Sequence, residues 1–368
     1  MNERGRRAAL DLTDRRCTVV GHLLSWALCW ALLLSCRPAA APAASAGAPG
    51  APAASPAASS TEAAPALIAV RAAYAAPGAG LTPVWVAQDR GLFRQYGLDV
   101  DLVLLSGTRT DQGVVSGDTP LGFGANVIPT RLGGADIVAI AGVVSRISYT
   151  LFAQPGIASP RDLRGKTLVA TLPGASNTSA SLLVLRHFGL EPGRDVNIQH
   201  TQGTPEQFTL MAQGLADASL FSPPTNLKAR EIGLVELANI SDLRIPFMQT
   251  AIGIMQDYGR EHAEEVRRFL RAYVAATVLA RQDAAGTKAS IGKYSQTDDA
   301  AVLDDAYAYY RDIWGRPDFR VPPEAVESIL RVLEMPGADS ARAADFIDNH
   351  FVDELEQDGF MRQVGATD

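Results

Sequence analysis

From residue 66 onward, short apolar runs alternate with amphipathic helical stretches, and this rhythm restricts the fold more than any other feature of the chain. Continuous apolar runs need cover on both faces, which is the condition of parallel strands in a βα series. The spacing predicts strands over Leu67–Tyr74, Asp99–Leu105, Leu121–Gly124, Ile137–Val143 and Tyr149–Ala153. Between them it predicts helices over Thr82–Tyr96, Thr110–Ser116 and from Asn126. A second series begins after Ser159-Pro160, with strands Lys166–Thr171, Val196–His200 and Ala216–Phe221 and helices Asn177–Phe188 and Pro205–Gln213. A strand over Gln249–Met255 then runs back toward the first series. Beyond Gly259 the pattern is helical: Glu261–Arg281, Asp298–Ile313, Pro323–Leu333 and Ala343–Glu356.

The first 65 residues obey different rules. Residues 1–35 carry five arginines against three acids, followed by an apolar stretch from Cys17 to Leu34. This is the layout of a secretory signal peptide, a basic segment and then an apolar one. Its end, Leu33-Leu34-Ser35-Cys36, resembles a bacterial lipobox with Cys36 as the lipidated residue; an uncleaved membrane anchor and ordinary cleavage are the alternatives. All three place the body outside the cytoplasm. Removing the leader takes away two net positive charges and leaves the chain near −9. Residues 36–65 are Ala, Pro, Ser and Gly almost throughout, too poor in apolar bulk to pack, and read as a disordered tether. All three cysteines lie in the leader, so the body holds no disulfide and no thiolate site. The negative balance argues against nucleic acid as a partner.

Three motifs resemble one family. Thr82-Pro83-Val84-Trp85-Val86-Ala87-Gln88-Asp89-Arg90-Gly91-Leu92-Phe93, with Tyr96-Gly97-Leu98-Asp99-Val100, is similar to the opening signature of substrate-binding proteins for nitrate, sulfonates, taurine and thiamine precursors, the NMT1/THI5-like (SsuA-like) group. Ser159-Pro160-Arg161-Asp162-Leu163-Arg164-Gly165-Lys166 and Gly203-Thr204-Pro205-Glu206-Gln207 match later signatures of that group in order and spacing. The resemblance covers residues 67 to 285 and implies a two-lobed α/β fold, the type II periplasmic-binding-protein fold: two mixed or parallel sheets, two crossing strands and a ligand cleft closed by hinge motion. On that plan residues 66–155 form lobe 1 and 156–247 lobe 2. Residues 248–368 return to lobe 1 and end in helices. Crossings are expected near Ala153–Ser159 and Ile245–Ala251.

Ligands of such folds gather at the C-terminal ends of strands, where helix N-termini present unpaired N–H groups. The loops placed there supply the candidate contacts. From lobe 1 these are Gly80, Leu81, Thr82, Gly107, Thr108, Ala125 and Asn126; from lobe 2, Gly174, Ser176, Asn177, Thr178, Gly203, Ser222 and Pro223. Trp85 is read either as an apolar wall of the cleft or as core, and Arg109 as an anion partner or a solvated side chain. Thr82, Thr108, Ser176 and Thr204 are also suitable helix caps with or without a ligand. Asp111 and Glu206 fall in first helical turns, where dipole compensation accounts for them. The scarcity of acids in these loops favours an anionic or neutral ligand: a sulfonate, a carboxylate or a pyrimidine-like heterocycle.

The four body histidines, His187, His200, His262 and His350, lack metal-ligand spacing, and no cofactor or catalytic residue is expected. The same fold also carries a pyrimidine synthase of thiamine biosynthesis, but its cysteine-rich fingerprint has no counterpart in the body. A ligand sensor on this fold is the other alternative. The expected partners are a small-molecule ligand, an ABC permease with its ATPase, and the membrane through the lipid anchor, with the chain itself a monomer.

Overall fold

A computed structural model describes residues 66–315 and 318–366. The expected signal peptide, the lipidation expected at Cys36 and the expected tether therefore lie outside the described residues. The described residues form one compact unit.

Lobe 1 is built on a five-stranded sheet. Its strands are β1 (Ile68–Tyr74), β2 (Leu98–Leu104), β3 (Leu121–Phe123) and β4 (Ile137–Arg146), joined by the returning β10 (Pro246–Met255). The order is β2-β1-β3-β10-β4, with β10 antiparallel to both β3 and β4. The sheet of lobe 2 comprises β5 (Thr150–Ala153), β6 (Thr167–Ala170), β7 (Asn197–His200), β8 (Ala218–Phe221) and β9 (Val235–Asn239), ordered β7-β6-β8-β5-β9. Here β5 is the antiparallel member. Each lobe thus takes its one central antiparallel strand from a crossing of the chain.

In lobe 1 the connecting helices are α1 (Thr82–Asp89), α2 (Leu92–Gln95), α3 (Arg109–Ser116) and α4 (Val127–Leu132). Lobe 2 has α5 (Ser176–His187), α6 (Thr204–Ala212) and α7 (Thr225–Glu231). Then follow α8 (Gln256–Glu261), α9 (Ala263–Gln282), α10 (Ala284–Ser295), α11 (Ala300–Tyr310), α12 (Pro323–Leu330), α13 (His350–Gln357) and α14 (Phe360–Gln363).

The two-sheet α/β architecture agrees with the sequence reading; several boundaries do not. The first crossing spans residues 147–149, because β5 already pairs with β8 of lobe 2, so it precedes the expected Ala153–Ser159. The helix expected over Thr82–Tyr96 is broken into α1 and α2 by Gly91, whose φ of 66° is left-handed. The sequence reading also missed α7, β9 and α10. Short strands with polar termini and a helix of weak apolar periodicity give little signal.

The C-terminal helices pack mainly on lobe 1. α9 lies against α1, α2 and β2, and α10 against α1. Phe93 stacks on Phe269 with ring centroids 4.9 Å apart, and Phe123 meets Phe269 and Tyr273, all within one core. α12 touches both β10 and α5, so the C-terminal segment bridges the lobes.

Candidate functional site

The parallel strands of both lobes aim their C-terminal ends at the crossing, and the polar groups found there come from both sides. Gln249, on β10 just past the second crossing, ties three pieces together. Its side-chain oxygen accepts from Ser148 N at 2.6 Å, and its backbone oxygen accepts from Ser176 Oγ at 3.2 Å. Ser176 opens α5 of lobe 2, and Ser148 lies in the first crossing.

Three tyrosines line this floor. Tyr149 sits in the first crossing beside Ser176, and burial pushes its phenol up to about 12 against the hydrogen bond to that serine. Tyr310, at the end of α11, is 2% exposed. Burial raises its phenol strongly; Ser222 of lobe 2 and Gln249 are its polar neighbours. Gly80 allows Tyr310 this position, because a Cβ at residue 80 would come within 3.3 Å of the Tyr310 ring. Tyr309 meets Tyr310 edge-on at 5.0 Å, and burial pushes its phenol up to about 12 beside Ser241 and Thr150. All three phenols stay protonated at neutral pH, so each can donate as well as accept.

Of the sequence-predicted contacts, Gly80, Asn126, Gly174, Ser176 and Ser222 stand at this interface. Gly174 (φ 82°) faces Pro129 of α4 and Met335, where a Cβ would lie 3.6 Å from the Pro129 ring. Pro223 is buried behind Ser222 and joined to Pro224 by a cis peptide. Asn126 is half-buried just ahead of α4, with backbone N and Nδ2 both bonded to Asp111, at 2.7 and 3.0 Å. Burial raises the Asp111 carboxyl, opposed by those two bonds.

Others do different work. Trp85 is fully buried, stacked on Tyr294 at 5.0 Å and edge-on to Tyr74, so it is core and no wall of a cleft. Leu81 belongs to the same core, and buried Thr82 donates to Ala79 O. Asn177 spends its amide inside lobe 2: its Oδ1 accepts from Thr171 N and Gln207 Nε2, and its Nδ2 donates to Leu220 O. Buried Thr178 closes the same turn by donating to Thr171 O and Leu172 O. Both side chains hold the loop ahead of α5 in shape. Ala125 is buried against Gly122 and Gly253, whereas Gly107 and Thr108 are solvent-exposed. Gly203 has extended backbone before α6. None of Thr82, Thr108, Ser176 or Thr204 caps a helix through its side chain.

The tyrosines and Gln249 went unread in the sequence. Tyr309-Tyr310 sits in a helix counted only for packing, and an aromatic pair at a helix end was the available signal. A surface hollow of about 390 Å³ lies between Arg186 and residues 330–336, and of the interface described above it shares only Met335. Among the described residues, no three His, Cys, Asp or Glu side chains gather as a metal site.

A family model described as NMT1/THI5 like matches residues 79–285, more than half of the chain. The chain belongs to this family. No curated protein sequence matches it. Among solved structures it is similar to the periplasmic aliphatic sulphonate binding protein SsuA of Escherichia coli, at a TM-score of 0.60 and 21% identity over 74% of this chain and 91% of that one. The alkanesulfonate-binding SsuA of Xanthomonas axonopodis pv. citri, bound to MOPS, gives 0.60 and 18% over 73% and 92%. The ligand-binding component of an ABC-type import system from Staphylococcus aureus, with zinc bound, gives 0.61 and 11% over 78% and 98%. At these identities the structural likeness shows the shared fold.

Proposed function

We propose that this chain is the extracytoplasmic, lipid-anchored solute-binding component of an ABC importer. It takes up a small anionic or neutral organic molecule between its lobes. One observation carries the reading: Tyr149 of the first crossing and Ser176 and Ser222 of lobe 2 meet Gln249 and Tyr310 of the returning segment where the chain passes between the lobes. Groups of this kind bind a polar solute through hydrogen bonds without charge transfer or bond making. The family and the import-system neighbours support the same role.

The lobes also hold each other through reversible polar contacts. Arg230 of α7 pairs with Asp305 of α11 at 3.3 Å, and Arg186 donates to Arg331 O at 3.1 Å. A ligand bridging the lobes shifts the open–closed balance by its preference for the closed form. Thermal-shift screening against sulfonates, aromatic carboxylates, pyrimidines and nitrate tests the reading, because a binder of the native state raises its apparent stability. A binder whose affinity is the same in wild type, Tyr310→Phe and Ser176→Ala would place the site elsewhere.

A further inference from the structure

The solute-binding reading is the base of a sharper inference about what lobe 1 recognises. Asp111 stands in the first turn of α3 and is 8% exposed. It accepts twice from a single residue, from Asn126 N at 2.7 Å and from Asn126 Nδ2 at 3.0 Å. An ionised carboxylate only accepts, so the NH₂ of Asn126 is turned toward α3 and its carbonyl oxygen faces the opposite way. No described residue donates to that oxygen. A flipped amide would set oxygen against oxygen and lose the bond to Asp111.

The place of this oxygen gives it meaning. Gly124, two residues earlier, donates to Ala251 O of the crossing strand β10. Pro129, three residues later, faces Gly174 of lobe 2. Asn126 therefore sits where the halves of the fold meet, half-buried, with an acceptor unspent. The positive end of α3 is already met by the Asp111 carboxylate. Arg146, beside Tyr309, donates to Asp312 O at 3.5 Å and lies near Asp242 and Asp312, so its charge is engaged along the crossing.

We propose that Asp111 is a specificity-determining positioning residue: by fixing the Asn126 amide it makes lobe 1 present a hydrogen-bond acceptor to the ligand. The ligand is then an uncharged molecule bearing an N–H donor, of the carboxamide or amino-heterocycle class. An oxyanion in the same place faces lone pairs with a carboxylate behind them, and is rejected by repulsion rather than by size. Ser176, Ser222 and the neutral tyrosines adapt to either partner; Asn126 does not.

The test has two arms. The first needs no ligand: amide-proton NMR of the Asn126 side chain in the wild-type chain. One NH₂ proton is expected to exchange slowly and to shift when Asp111 becomes Asn; two freely exchanging protons would overturn the pinning. The second arm compares shape-matched probes of different charge by calorimetry: benzamide against benzoate, benzenesulfonamide against benzenesulfonate, and nicotinamide against nicotinate. Wild type is expected to favour the N–H member by at least about tenfold. Asp111→Asn, which lets the Asn126 amide turn over, is expected to shrink that ratio several-fold, and Asn126→Leu to abolish it. Tighter binding of the anions, or a ratio unmoved in both variants, overturns the proposal alone. Failure of every probe here and every compound of the thermal-shift screen overturns the solute-binding reading and the proposal with it.

Discussion

The two lobes share one sheet plan and are held by different means. Lobe 1 is braced by aromatic packing: Trp85 on Tyr294, Phe93 on Phe269, and Phe123 between Phe269 and Tyr273. At the heart of lobe 2 lies a buried polar knot instead. Gln207 Nε2 donates to Asn177 Oδ1 and Val169 O, Ser219 Oγ donates to Val169 O, and Asn177 closes onto Leu220 O. Apolar area tolerates small shifts, whereas a buried hydrogen-bond network needs every member. Lobe 1 is thus stiffened by bulk, and lobe 2 by complementarity.

The strongest test of this contrast truncates each lobe at its own support. Phe269→Ala, at a fully buried site, is expected to cost about 3–5 kcal/mol in urea unfolding. Asn177→Ala leaves Thr171 N and Leu220 O without their partner and is expected to cost about 2–3 kcal/mol, with faster amide exchange confined to lobe 2. Unchanged stability with lost ligand affinity would instead return Asn177 to the binding site. Asn126→Ala should show the reverse balance, a binding loss of about 1–3 kcal/mol by calorimetry with a smaller change in stability.

Weaker still is the pair between the lobes. Asp305→Ala removes this pair while Arg230 keeps its bonds to Glu236, and should change stability by only about 0.2–1 kcal/mol, with salt narrowing the difference. Small-angle scattering should nevertheless report a larger open fraction without ligand. The smallest effect concerns Asp195 of lobe 2. Arg194 and the backbone N–H of Glu191 hold its carboxyl at about 2, below the ordinary carboxylate value. Its stabilising contribution is therefore complete above that ordinary value and is lost as pH falls toward 2. Asp195→Asn should flatten this acid limb of the stability profile, and an unchanged limb would assign it to other carboxylates.

Much of this architecture was legible because β4 opens as a continuous apolar run, and β1 and β8 are apolar but for Arg71 and Ser219. Position alone was enough to put the loops at Gly80, Gly174, Ser176 and Ser222 near the meeting of the two halves. Two features were harder to read. Thr178 and Asn177 have the same composition as ligand contacts, and only their partners reveal that lobe 2 consumes them. Tyr310 and Gln249 reach the site from more than a hundred residues beyond the first candidate loops, and although the return crossing was legible, nothing local marks which of its side chains face the site. The α1–α2 break shows a third limit: a periodic stretch reads as one helix until Gly91 is seen with its φ of 66°.

The placement of β10 also sets an order of assembly. Lobe 2 draws its whole sheet from residues 150–239, one contiguous stretch, and can close as soon as that stretch is available. In lobe 1, β10 lies between β3 and β4, so its centre stays incomplete until a strand beginning at residue 246 arrives. Long sequence separation slows such pairing. The half of the molecule that emerges first is accordingly the last to mature, and an early stop within residues 147–245 would leave its sheet split down the middle.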